Sequence, residues 1–163
     1  MAEMAPPMAL TLKADLAALA RIRSWVEEVA KSAKASKDLE TYLLAAIDEA
    51  AANIVEHGYH GIPAGPLKLE ASWDSNQIHV RIEDEGLPFD PSRGGDSLDL
   101  DWRARWNLGR GLGRYVIRRC VHQIKYERLP LGANRLSLTF RMDCDKTGAH
   151  SHGDTMEKNG EKP

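Results

Sequence analysis

Cysteine, net charge and long apolar runs are all scarce in this sequence, and each scarcity closes off a class of protein. Two cysteines, Cys120 and Cys144, are too few for a disulfide framework or a thiolate metal site. Both are expected to be reduced, although a single bridge stays open. A net charge of -2 supplies no general field for nucleic acid or an anionic membrane, so direct contact with either is not expected. No apolar run reaches the roughly 18 residues of a membrane-spanning helix. The opening "MAEMAPPMAL" has neither the basic start nor the apolar stretch of a secretory signal, and a cytoplasmic protein is expected. What is present, 42% apolar and 28% charged residues over 163 positions, suits one buried core and is short for two.

Periodicity orders the elements. "MALTLKA" (Met8 to Ala14) alternates after Pro6-Pro7 and predicts a short strand at a sheet edge. From Asp15, a natural N-cap, Leu16, Leu19, Ile22, Val26 and Val29 recur at helical spacing to about Ser32. A second helix starts near Ser36 to Asp38 and should bury Leu39, Leu43, Ile47, Ala50 and Ile54. It stops around His57 to Gly58, where glycine can adopt the left-handed conformation.

"PLKLEASW" (Pro66 to Trp73) and "QIHVRIEDEG" (Gln77 to Gly86) read as strands joined by a turn at "DSN". Leu87 to Leu108 has no sustained period and is long for a connection, which marks a lid or binding loop. A third helix over roughly Gly111 to Val121 then leads into "HQIKYERL" and "NRLSLTFRM", a second antiparallel pair. The expected fold is therefore α+β, a two-layer sandwich with helices on one face of a mainly antiparallel mixed sheet. Residues 1–7 read as a flexible start, 8–142 as the domain, and 143–163, almost without large apolar side chains, as a disordered tail.

Three segments carry candidate chemistry. On a helix advancing about 100° per residue, Glu49, Asn53 and His57 drift only about 40° per step, so they share one edge beside Leu43, Ile47 and Ile54. A carboxylate there can take a proton, and an Asn amide oxygen is a hard ligand suited to Mg²⁺. The plainer reading is a polar helix margin. In "EDEGLPFD" (Glu83 to Asp90), Asp84 at a strand end can accept from the exocyclic amine of adenine. Gly86, lacking Cβ, would let backbone approach a flat ring; the alternative is an acidic turn. In "NLGRGLGRYVIRR" (Asn107 to Arg119), Gly109, Gly111 and Gly113 precede a helical stretch whose backbone N–H groups can face an anion. This is neither a P-loop nor GxGxxG, because position 114 is Arg. His57 and His60 lack a third ligand, and a structural zinc site needs four.

Taken together, "EAAANIVEHGY" (Glu49 to Tyr59), "DEGLPFD" (Asp84 to Asp90), "GRGLG" (Gly109 to Gly113) and "NRLSL" (Asn134 to Leu138) resemble, in order and spacing, the N, G1 and G2 boxes and closing strand of the GHKL ATPase superfamily. The glutamate four residues before the asparagine and the His-Gly-Tyr that follows look like the anti-sigma factor serine kinases of the RsbW/SpoIIAB type. The resemblance spans about Leu10 to Met142 and implies a Bergerat ATP-binding fold.

By that resemblance, Asn53 is the magnesium-binding asparagine and Glu49 the base that activates a substrate serine. Asp84 binds adenine with Gly86 beside it, and Gly109, Arg110, Gly111, Leu112 and Gly113 form the mobile segment over the phosphates. The implied cofactors are ATP and Mg²⁺. The implied partners are a STAS-domain anti-sigma factor antagonist, which is phosphorylated, and a sigma factor, which is sequestered; members commonly form homodimers. The alternative is a nucleotide-binding adaptor that switches partners without phosphorylation. Two departures stand out: Arg114 where an aliphatic residue is common, and Trp102 and Trp106 between arginines and aspartates in the preceding loop.

Overall fold

A computed structural model describes residues 6–88 and 121–144 of the chain. The glycine-rich segment Gly109 to Gly113, the loop from Phe89 to Leu108, most of the expected third helix and the tail beyond Cys144 lie outside the described residues.

β1 (Met8–Lys13) opens the chain as an edge strand, as its position after two prolines predicts. α1 (Leu16–Ser32) begins where the Asp15 carboxylate accepts the Ala18 N–H at 3.1 Å, satisfying one of the donors that a helix start leaves open. Its buried stripe runs through Ala18, Ile22, Trp25, Val26, Val29 and Ala30. Leu16, the first of the apolar residues that recur at helical spacing, is 72% exposed: it lies about 120° around the helix from Ile22, whereas Ala18 lies about 40° away.

α2 (Lys37–Asn53) is capped by Ser36, whose hydroxyl accepts from Leu39 N–H at 3.1 Å. It continues into a π-helical turn, Ile54–Gly58. Gly58 does not take a positive φ; that conformation falls three residues later, at Gly61 (φ 75°).

β2 (Pro66–Trp73) keeps the expected bounds, and β3 (Gln77–Asp84) ends two residues before the expected Gly86. The Asp74 carboxylate holds their turn by accepting the N–H groups of Asn76 and Gln77 at 2.7 and 2.9 Å. β4 (Val121–Arg128) starts at the residue expected to end the third helix, and β5 (Asn134–Arg141) returns beside β3. The sheet order is β1-β2-β3-β5-β4, and every pairing among the described strands is antiparallel rather than mixed.

Alternation gives the two faces opposite chemistry. Leu67, Leu69, Ile78, Val80, Ile82, Leu136, Leu138 and Phe140 join the buried stripes of α1 and α2 in one core. On the opposite face, Lys68, Glu83, Arg135 and Glu127 stand opposite one another in register with alternating sign, and Arg135 pairs with Glu83 at 2.7 Å. The expected α+β, two-layer architecture is what forms.

Cys144 is buried and disulfide-bonded, which corrects the expectation of two reduced thiols; two cysteines are too few for a framework but enough for one bridge. Among the described residues, no helix is long and apolar enough to cross a membrane.

Candidate functional site

The core-facing parity of the sheet does not stay apolar to its end. Leu67, Asp84, Asn134 and Arg128 stand opposite one another in register across β2, β3, β5 and β4. Asp84 and Asn134 therefore share the side of Ile82 and Leu136, and they are only 6% and 2% exposed. Burying a carboxylate is costly unless hydrogen bonds replace its water. Here Asp84 Oδ1 accepts from Gly86 N–H and from the Asn134 amide, both at 2.8 Å. Oδ2 has no hydrogen bond from any described residue. Burial pushes the Asp84 carboxyl above the usual carboxylate range, while the Asn134 and Gly86 hydrogen bonds and the charge of Arg128 pull it back.

Asn134 is itself fully engaged. Its NH₂ group also donates to Gly86 O at 3.2 Å, and its Oδ1 accepts from Tyr126 Oη at 2.8 Å and from an Arg128 guanidinium nitrogen at 2.6 Å.

The second wall comes from the end of α2. Asn53, Ile54 and Gly58 line a small recess with Asp84, Leu87, Tyr126 and Asn134. Gly58 O accepts the Leu87 N–H at 2.6 Å, which joins the π-helical turn to the segment after β3. This close approach is why position 86 is glycine: a Cβ there would meet Gly58 O at 2.5 Å. The backbone that approaches Gly86 is thus that of the turn after α2.

Tyr59 adds a second tie by donating to Pro66 O and accepting Glu85 N–H, each at 2.9 Å. Burial raises its hydroxyl above the ordinary tyrosine value, against the pull of Glu85 N–H, and the Asp84 and Glu85 charges raise it further. The group stays protonated and can donate.

The recess has a volume of about 20 Å³, room for about one water molecule or one amino group. A purine whose exocyclic amine entered it would lie across its mouth. The free Oδ2 of a nearly buried Asp84 suits such an amine, because a carboxylate accepts and an amine donates.

Glu49 stands one turn before Asn53 and is hydrogen-bonded to its side chain, but it does not line the recess. Burial first, then the charges of Asp48 and Glu56, push Glu49 above the ordinary carboxylate range, and the Asn53 bond opposes them. Arg23 grips Asp48 with two bonds, at 2.7 and 3.0 Å, and so fastens α1 to α2 beside Glu49. His57 is exposed and outside the recess; the π-helical turn breaks the regular spacing that would have aligned it with Asn53.

Among the described residues, no group of three His, Cys, Asp or Glu side chains could hold a metal ion. A single amide oxygen such as that of Asn53 fits Mg²⁺, which commonly fills most of its shell with water and substrate phosphates.

Of the expected site residues, Asn53 and Asp84 line one recess, Gly86 is hydrogen-bonded to Asp84 beside it, Glu49 stands adjacent, and Gly109, Arg110, Gly111, Leu112 and Gly113 are outside the described residues. Tyr59, Tyr126, Arg128 and the supporting role of Asn134 were not read from the sequence. One signal was present for Asn134: alternation puts it on the same side as Leu136, Leu138 and Phe140, where an uncompensated amide would be costly.

The family described as histidine kinase-like ATPase domain matches residues 12–141. No curated protein matches the chain. Among solved structures, the crystal structure of the RsbU and RsbW domains of Rv1364c from Mycobacterium tuberculosis is similar with a TM-score of 0.58 and 21% identity. The match covers 85% of this chain and 33% of that one. It is a likeness of fold, and this chain spans well under half the length of that structure.

Proposed function

From the premise that this chain belongs to the histidine kinase-like ATPase domain family, which implies ATP binding, we propose that it is a cytoplasmic serine kinase and anti-sigma factor of the RsbW type. Residues 8–142 would form its one domain. In this reading it phosphorylates a serine of a STAS-domain antagonist and sequesters a sigma factor when the antagonist is occupied elsewhere. The observation that carries the reading is the convergence of Asn53, from the end of α2, with the half-satisfied carboxylate of Asp84 on one recess.

Asp84 would accept the exocyclic amine of adenine through Oδ2 and orient the nucleotide. The Asn53 amide oxygen would supply one ligand to Mg²⁺, which when bound neutralises phosphate charge. Backbone N–H groups of Gly109, Gly111 and Gly113, with Leu112 between them and the charge of Arg110, would hold the phosphates.

Glu49 would take the proton of the substrate serine as the serine oxygen bonds to the γ-phosphorus. The bond from that phosphorus to the bridging oxygen breaks, and ADP leaves. A carboxyl held above its ordinary range by burial and by Asp48 and Glu56 is a stronger base than an exposed one. The product carries roughly two negative charges where the antagonist had a neutral hydroxyl, enough to break an interface built around that hydroxyl.

Labelled ATP, the full chain and a STAS-domain antagonist test the proposal. Phosphoserine should form, and Glu49→Ala should slow transfer by about a hundredfold or more while ADP affinity changes less than about twofold. A protein that binds ATP, binds the antagonist and transfers nothing would be an adaptor that switches partners without chemistry.

A further inference from the structure

A buried amide has two orientations of equal shape, and what selects between them decides what its neighbours can bind. Turned one way, Asn134 presents its NH₂ to Asp84 Oδ1 and the carbonyl of Gly86, and its oxygen to Tyr126 and Arg128. Turned the other way, its oxygen would face the Asp84 carboxylate, acceptor against acceptor, and its NH₂ would face the guanidinium. The Tyr126 hydroxyl could tolerate that exchange because it both donates and accepts. Arg128 could not: a guanidinium has five donors and no lone pair to offer.

We propose that Arg128, from the outer strand β4, is a positioning residue for base selectivity: it locks the Asn134 amide so that Asp84 Oδ1 is occupied and Oδ2 alone is offered to a ligand's amino group. The inference rests on the adenine reading of Asp84 and extends it to a residue two strands away.

The register supports it, since Arg128 stands opposite Asn134, and Asn134 opposite Asp84. The contact chain is short throughout, 2.6 Å from Arg128 to the Asn134 oxygen and 2.8 Å from the amide nitrogen to Asp84. The charge of Arg128 acts in the same direction, favouring the ionised, hydrogen-accepting form of Asp84 against burial. The other groups acting on that carboxyl are the Gly86 N–H, which also favours ionisation, and Tyr59, which interacts with Asp84 from the turn after α2.

Arg128 is exposed at the end of its strand, so replacing it leaves the core intact. The test is calorimetric titration of the full chain, with Mg²⁺, by ADP and by inosine diphosphate, which has the same phosphates and sugar but a carbonyl in place of the amine. The native protein should prefer ADP. In Arg128→Leu the amide loses its charged anchor and is held only from the side of Asp84 and Gly86 and by Tyr126, so ADP affinity should fall about fivefold to tenfold, inosine diphosphate affinity should change less than about twofold, and the preference narrows. Arg128→Lys keeps a charged donor and should hold the preference within about twofold of native.

An equal fall for both nucleotides in Arg128→Leu would make the residue structural only and overturn the inference, as would an unchanged ratio. A native protein with no preference for ADP would overturn the adenine reading and this inference with it.

Discussion

β3 and β5 show one set of side chains to the helices along their whole length, yet the two ends of that set differ in kind. At one end Ile78 faces Phe140, both 0% exposed; at the other Asp84 faces Asn134, almost as deeply covered. Both pairs sit at inward positions of the same two strands. The first gains from leaving water, in proportion to the apolar area removed. The second would lose by leaving water and is made tolerable by hydrogen bonds from Gly86, Tyr126 and Arg128. One end of the ladder holds the domain together, and the other is held by it.

The largest test of that division is Phe140→Ala, expected to lower unfolding free energy by about 3–5 kcal/mol in urea titration while the folded fraction binds ADP as before. A matching loss of affinity would show that the two ends are not separable.

Next comes Asp84→Asn, expected to weaken ADP binding by roughly tenfold to a hundredfold, about 1.5–3 kcal/mol for a hydrogen bond to a charged group, without lowering the stability of the empty protein. The pH dependence sharpens this contrast. Because burial raises the Asp84 carboxyl above its unfolded value, its contribution to stability is fully present below the unfolded value and is lost as pH rises through the raised one. Asp84→Asn should remove that slope from the empty protein. A variant with a steeper loss toward high pH would contradict the account.

The smallest expected effect is that of Tyr59→Phe, which deletes one donor and one acceptor, to Pro66 and Glu85. A loss of about 1–2 kcal/mol, smaller than that from Phe140, is the outcome to check by thermal unfolding.

Local features were legible in the sequence and distant ones were not. The caps at Asp15 and Ser36, the turn at Asp74 and the bounds of β2 depend on residues within a few positions of each other, and spacing reports them directly. Asn53 and Asp84 were legible because their motifs are. The support of Asp84 by Asn134 spans fifty residues of chain, and no local pattern encodes which strand will lie beside β3. Leu16 belongs to the apolar series by type, but its angle around the helix turns it to solvent. Gly58 was misread because a glycine at a helix end usually serves its own φ, whereas here its carbonyl is wanted by Leu87.

The carbonyl of Gly58 has one further implication. It is a hinge pin between the two walls of the recess: one wall carries Asn53, the other Asp84, and the 2.6 Å bond to Leu87 joins them. Any widening of the recess would have to lengthen that bond, which is anchored in the turn directly after the helix that carries Glu49 and Asn53.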